Sequence, residues 1–228
     1  MIFFIDTAFD ITKLAIKKEN FFYEEIIDAN TNISQVLIDR TKIILDKSRS
    51  KKKDIKLIIF NQGPGNFTSL RVALAYIKAM AFYINIPIIT LNSFQILALS
   101  ANKNYNEYPL IVAIDARMNE VYYVEYTSYS DIFVKGKSYS LFSYEKFYRI
   151  LKNTKKEKIS IIKNSDSFLS HANNYNDSVV EKIISPHNID IPNILKAVEK
   201  NFLHSEENID KVRLLYIRNN VAQKYKNE

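Results

Sequence analysis

The 228-residue sequence contains no cysteine and no tryptophan, and only three glycines and five prolines. Without cysteine there is no disulfide, no thiolate zinc site and no cysteine nucleophile, and a cytoplasmic setting is the expectation. Three histidines are present, His171, His187 and His204. They form no His-x-x-His or His-x-x-x-His pair, so the sequence offers no metal site. There is no Gly-x-Ser-x-Gly elbow, and no catalytic group stands out. The opening MIFFIDTAFD is apolar but is broken by Asp6 and has no basic region before it. Neither a secretory signal nor a membrane span is expected, there or later, and no membrane partner follows.

What is present suffices for a core: 47% of residues are hydrophobic and 25% charged, the balance of a globular chain. The formal net charge is +7. Basic residues cluster at KSRSKKK (47–53), KNTKKEK (152–158) and RNNVAQKYK (218–226). Solvated loop lysines account for such runs, and a phosphate-attracting surface is the alternative.

Short β-branched and aromatic segments, MIFFIDT, ITKLAIKK and FFYEEIID, alternate with Asp- and Asn-bearing breaks, which predicts a three-stranded meander. Apolar positions from Ile33 to Lys47 recur at helical spacing. A buried strand KLIIFN follows, then the turn Gly63-Pro64-Gly65 and a helix over about 66–84. IPIITL is the next strand and SFQILALSAN a further helix. After the polar break NKNYNEY the pattern restarts. PLIVAIDARMNEVYYVEY repeats the strand–Asp–strand arrangement of FFIDTAFDITKLAI, with Asp115 where Asp6 stood. Two such units suggest a duplicated lobe, with the boundary near 102–108. Beyond it, helices near 143–151 and 191–202 and strands KISIIK and VVEKII are expected.

Two of the three glycines flank Pro64, between a strand and a helix. Free N–H groups at a helix start favour anions. The P-loop, however, needs Gly-Lys-Ser/Thr where Phe67, Thr68 and Ser69 stand, and the dinucleotide fingerprint needs a third glycine where Thr68 stands. A tight turn capped by Asn66 or Thr68 is the simpler reading. Asp6 and Asp115 end inner strands; with no glycine beside either, a turn-forming role is favoured over a phosphate or metal site. The helix after the turn carries only Arg71 and Lys78 as charges and is apolar on two sides. Such a helix is buried on both sides, either within the monomer or against another protein.

The motifs IDTAFDITKLAI, GPGNFTSLR, IPIITLNSFQILA, AIDARMNEVYYVEY and LLYIRNNVAQK, in this order, resemble the TsaB (YeaZ) family, over nearly the whole chain. The resemblance implies an α/β, two-lobed actin-like and hexokinase-like (ASKHA) duplicated fold with mixed sheets flanked by helices, divided into lobes 1–104 and 105–228. It implies a non-catalytic partner subunit for the transfer of a threonylcarbamoyl group to the adenosine beside the tRNA anticodon. Such a chain scaffolds a TsaD-like catalytic subunit, is joined by a TsaE-like ATPase and meets tRNA through the complex. No cofactor is expected on this chain; ATP and a divalent metal belong to the catalytic partner. A homodimer is one possible state of the chain when it is alone.

The family pairs through the first two helices. That places Ile33, Leu37, Ile44, Phe67, Leu70, Arg71, Leu74 and Lys78 at the partner interface, Gly63, Pro64 and Gly65 in the turn that aims the second helix, and Arg218 as a contact of the tail. The chain departs from the family at Asn66, Ser69, Ala73 and Ala79, where Ser, Gly, Gly and Gly are usual, and at Ile33 in place of a His. The alternatives are an actin-like small-molecule kinase, which would need glycine phosphate loops, and a peptidase acting on its paralogue, which would need a metal or nucleophile.

Overall fold

The computed structural model describes residues 1–28, 31–101, 108–134, 136–153, 159–164, 179–201 and 207–218. The expected boundary at 102–107, His171, His204, the basic residues 154–158 and the tail past Arg218 lie outside these.

Two five-stranded mixed sheets organise the chain. In the first, β1 (Ile2–Asp6), β2 (Thr12–Lys18) and β3 (Phe21–Ile27) form the expected antiparallel meander, and β4 (Leu57–Asn61) and β5 (Ile88–Leu91) continue it in parallel, giving the order β3-β2-β1-β4-β5. The second contains β6 (Leu110–Arg117), β7 (Glu120–Tyr126), β8 (Ser140–Ser143), β9 (Ile159–Lys163) and β10 (Val179–Ile183), in the order β8-β7-β6-β9-β10. Each strand of the second sheet has the neighbours and directions of its counterpart five places earlier. The duplication expected from Asp6 and Asp115 is therefore carried through the whole sheet.

Helix α1 spans Ile33–Lys47. Asn32 caps it by accepting from the Ser34 amide at 3.2 Å, and Ile33, Leu37, Thr41, Ile44 and Leu45 form its buried stripe. Helix α2 spans Phe67–Ile84, capped by Asn66 through the Ser69 amide at 3.2 Å and ended by Asn85, whose φ of 52° places it in the left-handed region. It packs on β4 and beside α1.

Helix α3 (Ser93–Ala101) is buried from Ser93 to Ser100. It follows β5 in sequence, yet packs on β6 and β9 of the second sheet and on α5 (Ile191–Asn201). The region around α5 reaches back to the first sheet. Lys17 pairs with Glu199 at 2.5 Å, and the buried Lys13 donates to the His187 carbonyl at 2.8 Å. The facing sides of the two sheets thus contribute to one shared core. Helix α4 (Tyr144–Asn153) covers the other side of the second sheet, where Phe147 and Leu151 pack with Ile111, Ala113 and Val121.

The tail covers an edge. The Glu207 amide donates to the Ile88 carbonyl at 2.8 Å, pairing β5, the outermost strand of its sheet. Val212 is buried, and the Leu215 amide donates to the Gln62 carbonyl at 2.9 Å.

Candidate functional site

At the end of β1, Asp6 turns back on its own backbone. Its Oδ1 accepts from the Ala8 amide and from Asn61 Nδ2, both at 2.9 Å. At the equivalent place in the second sheet, Asp115 Oδ1 accepts from the Arg117 amide at 2.7 Å and from the Tyr144 hydroxyl at 3.0 Å. The same Asp-to-i+2 turn has been built twice. In both hairpins the amide two residues past the Asp is bonded to that Asp's own carboxylate. Asp6 is fully buried, and this burial pushes its carboxyl from 3.8 up to about 6, against the opposing pull of the Ala8 amide, Asn61 and Lys13. Its Oδ2 and the neighbouring Thr7 Oγ1 are buried without a hydrogen-bond partner.

The glycine turn lies directly on the first hairpin. The Gly63–Pro64 bond is cis, and Gly63 has a φ of 95°, a conformation that side chains disfavour. Gly63 donates to Asn61 Oδ1 at 3.0 Å, and Ser93 holds the turn from α3, its amide on the Gly63 carbonyl at 2.9 Å and its hydroxyl on the Pro64 carbonyl at 2.6 Å. Gly65 is required for a different reason. A Cβ there would stand 2.1 Å from the Ala8 carbonyl oxygen, and the next amide, Asn66, donates to that same oxygen at 2.6 Å.

Gly63, Pro64 and Gly65 therefore close the hairpin and fix where α2 begins. These residues do not fit a triphosphate. The turn is covered by Gly65 and Asn66, Ala8, Phe9 and Ile11 are buried in it, and the Ala8 amide is in use.

The second hairpin is held from outside. Arg117, Met118 and Asn119 all lie in the left-handed region, with φ of 60°, 55° and 58°. Arg218 reaches this tip from the tail. Its Nη2 donates to the Ala116 carbonyl at 3.1 Å and to Glu120 Oε2 at 2.5 Å, while Nη1 lies 3.2 Å from Met118 Sδ. Among the described residues, no group of three or more His, Asp or Glu is placed to hold a metal ion.

The interface residues read from the sequence divide into two sets. Ile33, Leu37, Ile44 and Leu70 are buried in the chain's own core, 6%, 2%, 0% and 4% exposed. They form the inward stripes of α1 and α2 and do not present a surface, which corrects the expectation for these four. Phe67 and Arg71 are exposed, and Leu74 and Lys78 are half-buried on the outer side of α2. The strongest outward groups were missed: Phe82 and Tyr83 are 80% and 83% exposed, and Ile38 on α1 is 60% exposed.

The signal for them was present in the sequence. Two adjacent aromatics lie where α2 cannot turn both inward. Helix α2 has the 18-residue length and a mean hydropathy, 1.3, that a membrane span would show. Its Leu70, Ala73, Ile77, Met80 and Ala81 are nevertheless buried within the chain. Beside it the tail folds back, with the Tyr216 ring 5.7 Å from that of Phe67. A cleft of about 570 Å³ opens between the two. Arg71, Leu74, Ala75 and Lys78 line it from α2, and Arg213, Leu214 and Tyr216 from the tail.

The duplicated sheets and their self-bonded turns define a class: two-lobed actin-like and hexokinase-like α/β proteins, here with both equivalent hairpins closed on themselves and an apolar helix face turned outward. Comparison with known proteins makes the assignment specific. The family model described as TsaD, tRNA N6-adenosine threonylcarbamoyltransferase, matches residues 27–202, and the chain belongs to that family.

Among curated proteins it is similar to the tRNA threonylcarbamoyladenosine biosynthesis protein TsaB of Buchnera aphidicola subsp. Acyrthosiphon pisum, with 28% identity over 123 residues, 54% of this chain and 56% of that protein. It is similar also to TsaB of Buchnera aphidicola subsp. Schizaphis graminum, 27% identical over 158 residues, 69% of this chain and 75% of that one. The first match thus spans little more than half of its relative's length. The solved structure of YeaZ from Pseudomonas aeruginosa has the same fold, with a TM-score of 0.72 at 19% identity, covering 95% of this chain and 99% of that one. The TsaB (YeaZ) likeness read from the motifs holds.

Proposed function

We propose that this chain is a partner subunit in the formation of threonylcarbamoyladenosine on tRNA, one that scaffolds and activates a TsaD-like catalytic subunit and performs no chemistry alone. The observation that carries the reading is the outward apolar face of α2, where Phe82 and Tyr83 are 80% and 83% exposed on a folded helix. Large apolar groups exposed side by side mark interaction surfaces. The names of the curated relatives supply the pathway.

In this reading ATP and a divalent metal sit on the catalytic subunit, a TsaE-like ATPase joins the assembly, and tRNA is met through the complex. The exposed Lys51, Lys52 and Lys53 add phosphate contacts there. When the chain is alone, the same face pairs two copies, and the work is done in the cytoplasm. Neither alternative gains support: a kinase would need open phosphate loops and a peptidase a nucleophile or metal.

Reconstitution tests the proposal. The chain, the TsaD-like and TsaE-like proteins of the same genome, unmodified tRNA, ATP and a threonylcarbamoyl donor are combined, and the modified nucleoside is measured. Omitting the chain is expected to abolish modification. Modification by the chain without the TsaD-like subunit would overturn the reading.

A further inference from the structure

We infer that the cleft between α2 and the tail receives an acidic helix: a helical segment of the partner subunit bearing two carboxylates about two turns apart, with an apolar side chain between them. The inference rests on the partner-subunit reading and adds the chemistry of the contact. Arg71 and Lys78 lie seven residues apart on α2, which at 1.5 Å per residue separates them by about 10 Å along the axis. Ala75 lies between them and leaves space, Leu74 and Leu214 line the cleft beside it, and Arg213 approaches from the tail. None of these three cations pairs with a carboxylate among the described residues, whereas other basic groups of the chain do: Arg218 with Glu120, and Lys47 and Arg40 with Glu25.

Arg71 is also held in place. Its guanidinium carbon lies 3.6 Å from the Phe67 ring centre, and its Nε is 3.5 Å from the Tyr216 hydroxyl. A cation fixed by stacking, with no carboxylate of its own, is prepared for an external one.

The shape favours a helix over a nucleotide. The charges are spread along a groove rather than gathered at one point. The groove runs beside the middle of α2, whose amides are spent within the helix, so it lacks the free N–H groups that a phosphate uses at a helix start. At helical spacing the exposed Phe82 falls on the same stripe of α2 as Arg71, Ala75 and Lys78, so one facing helix would meet both charge and apolar surface.

The test is affinity of the full chain for the TsaD-like subunit at low and high salt, with Arg71→Glu, Lys78→Glu and Arg213→Glu, and Lys52→Glu as a control of equal charge change. Each cleft reversal is expected to weaken binding about tenfold or more at ~50 mM salt and less than about threefold at ~500 mM, because screening removes the term it alters. Lys52→Glu is expected to stay within about twofold. The milder Arg71→Gln should give an intermediate loss, and melting curves confirm that each variant is folded.

If the wild-type chain binds but the cleft variants behave like Lys52→Glu, the acidic-helix assignment is wrong and the partner reading stands. If the wild-type chain does not bind, both fall. If free ATP displaces the subunit from the wild-type chain, the cleft is a nucleotide site and the assignment is overturned.

Discussion

The two hairpin turns have the same topology and the same self-bonded Asp, yet they are closed in different ways. Asp6 is sealed inside, under a glycine turn contributed by its own lobe and pinned by Ser93. Asp115 is half-buried, supported by Tyr144 and strapped at the tip by Arg218 from the distant tail. Duplication fixed the sheet and the turn; each copy then acquired its own cover. The first cover is part of the core and sets the start of α2. The second is a contact between segments 98 residues apart.

The two closures should therefore fail differently. The largest effect is expected at Gly65. Gly65→Ala drives a Cβ into the Ala8 carbonyl and should cost about 3 kcal/mol or more, enough to lower the melting temperature markedly. Gly136→Ala, in the second lobe, meets nothing within 4 Å and carries only the strain of its φ of 74°, about 1 kcal/mol. Equal losses at the two sites would mean that the close approach of Gly65 to Ala8 does not hold the first cover.

The next effect depends on pH. Asp6 titrates near 6 when folded against 3.8 as its ordinary value, so the folded chain holds this proton more tightly. The resulting stabilisation is present below about 3.8 and is lost as pH rises through about 6, up to about 3 kcal/mol over the two units. Asp6→Asn carries no such charge, so its stability relative to the wild type should improve by up to that amount between about pH 4 and pH 7. Denaturant curves for the pair across this range check it; parallel curves would remove the buried charge from the account.

The smallest effect is expected at the second hairpin. Arg218→Ala should cost about 1 kcal/mol, since its pair with Glu120 is partly exposed. It should also speed amide exchange at Arg117–Glu120 without changing exchange at Asp6–Ile11. Faster exchange in both hairpins would mean that the tail supports the whole molecule rather than the second cover.

The difference between the lobes also explains what could be read from the sequence. Helix α1 was expected over Ile33–Lys47 and is found there, because its polar and apolar positions differ and Asn32 marks the start. Helix α2 was placed as readily, but its orientation was not, since a helix apolar on two sides leaves both faces open. The sheet settles this by taking Ile77 and leaving Phe82 and Tyr83 outside. Strand β8 was missed because SLFS adjoins a helix start and carries little alternation. The packing of α3 on the second sheet and the burial of Lys13 depend on contacts between distant segments, which a local pattern does not record. The Gly63-Pro64-Gly65 turn is a place where a local pattern and a distant contact meet. Its glycine pair marked a backbone need, and the contact with Ala8 supplies the reason for Gly65.

The central claim is that this chain works through the outer face of α2 and not through its closed turns. The most direct test is calorimetric titration of the TsaD-like subunit with the double variant Phe82→Asp/Tyr83→Asp. Both positions are exposed, so the variant should melt where the wild type does. On the proposed reading, loss of these two exposed aromatics should weaken binding by at least about 100-fold, roughly 2.7 kcal/mol or more. A folded double variant that binds the catalytic subunit with wild-type affinity would contradict the account.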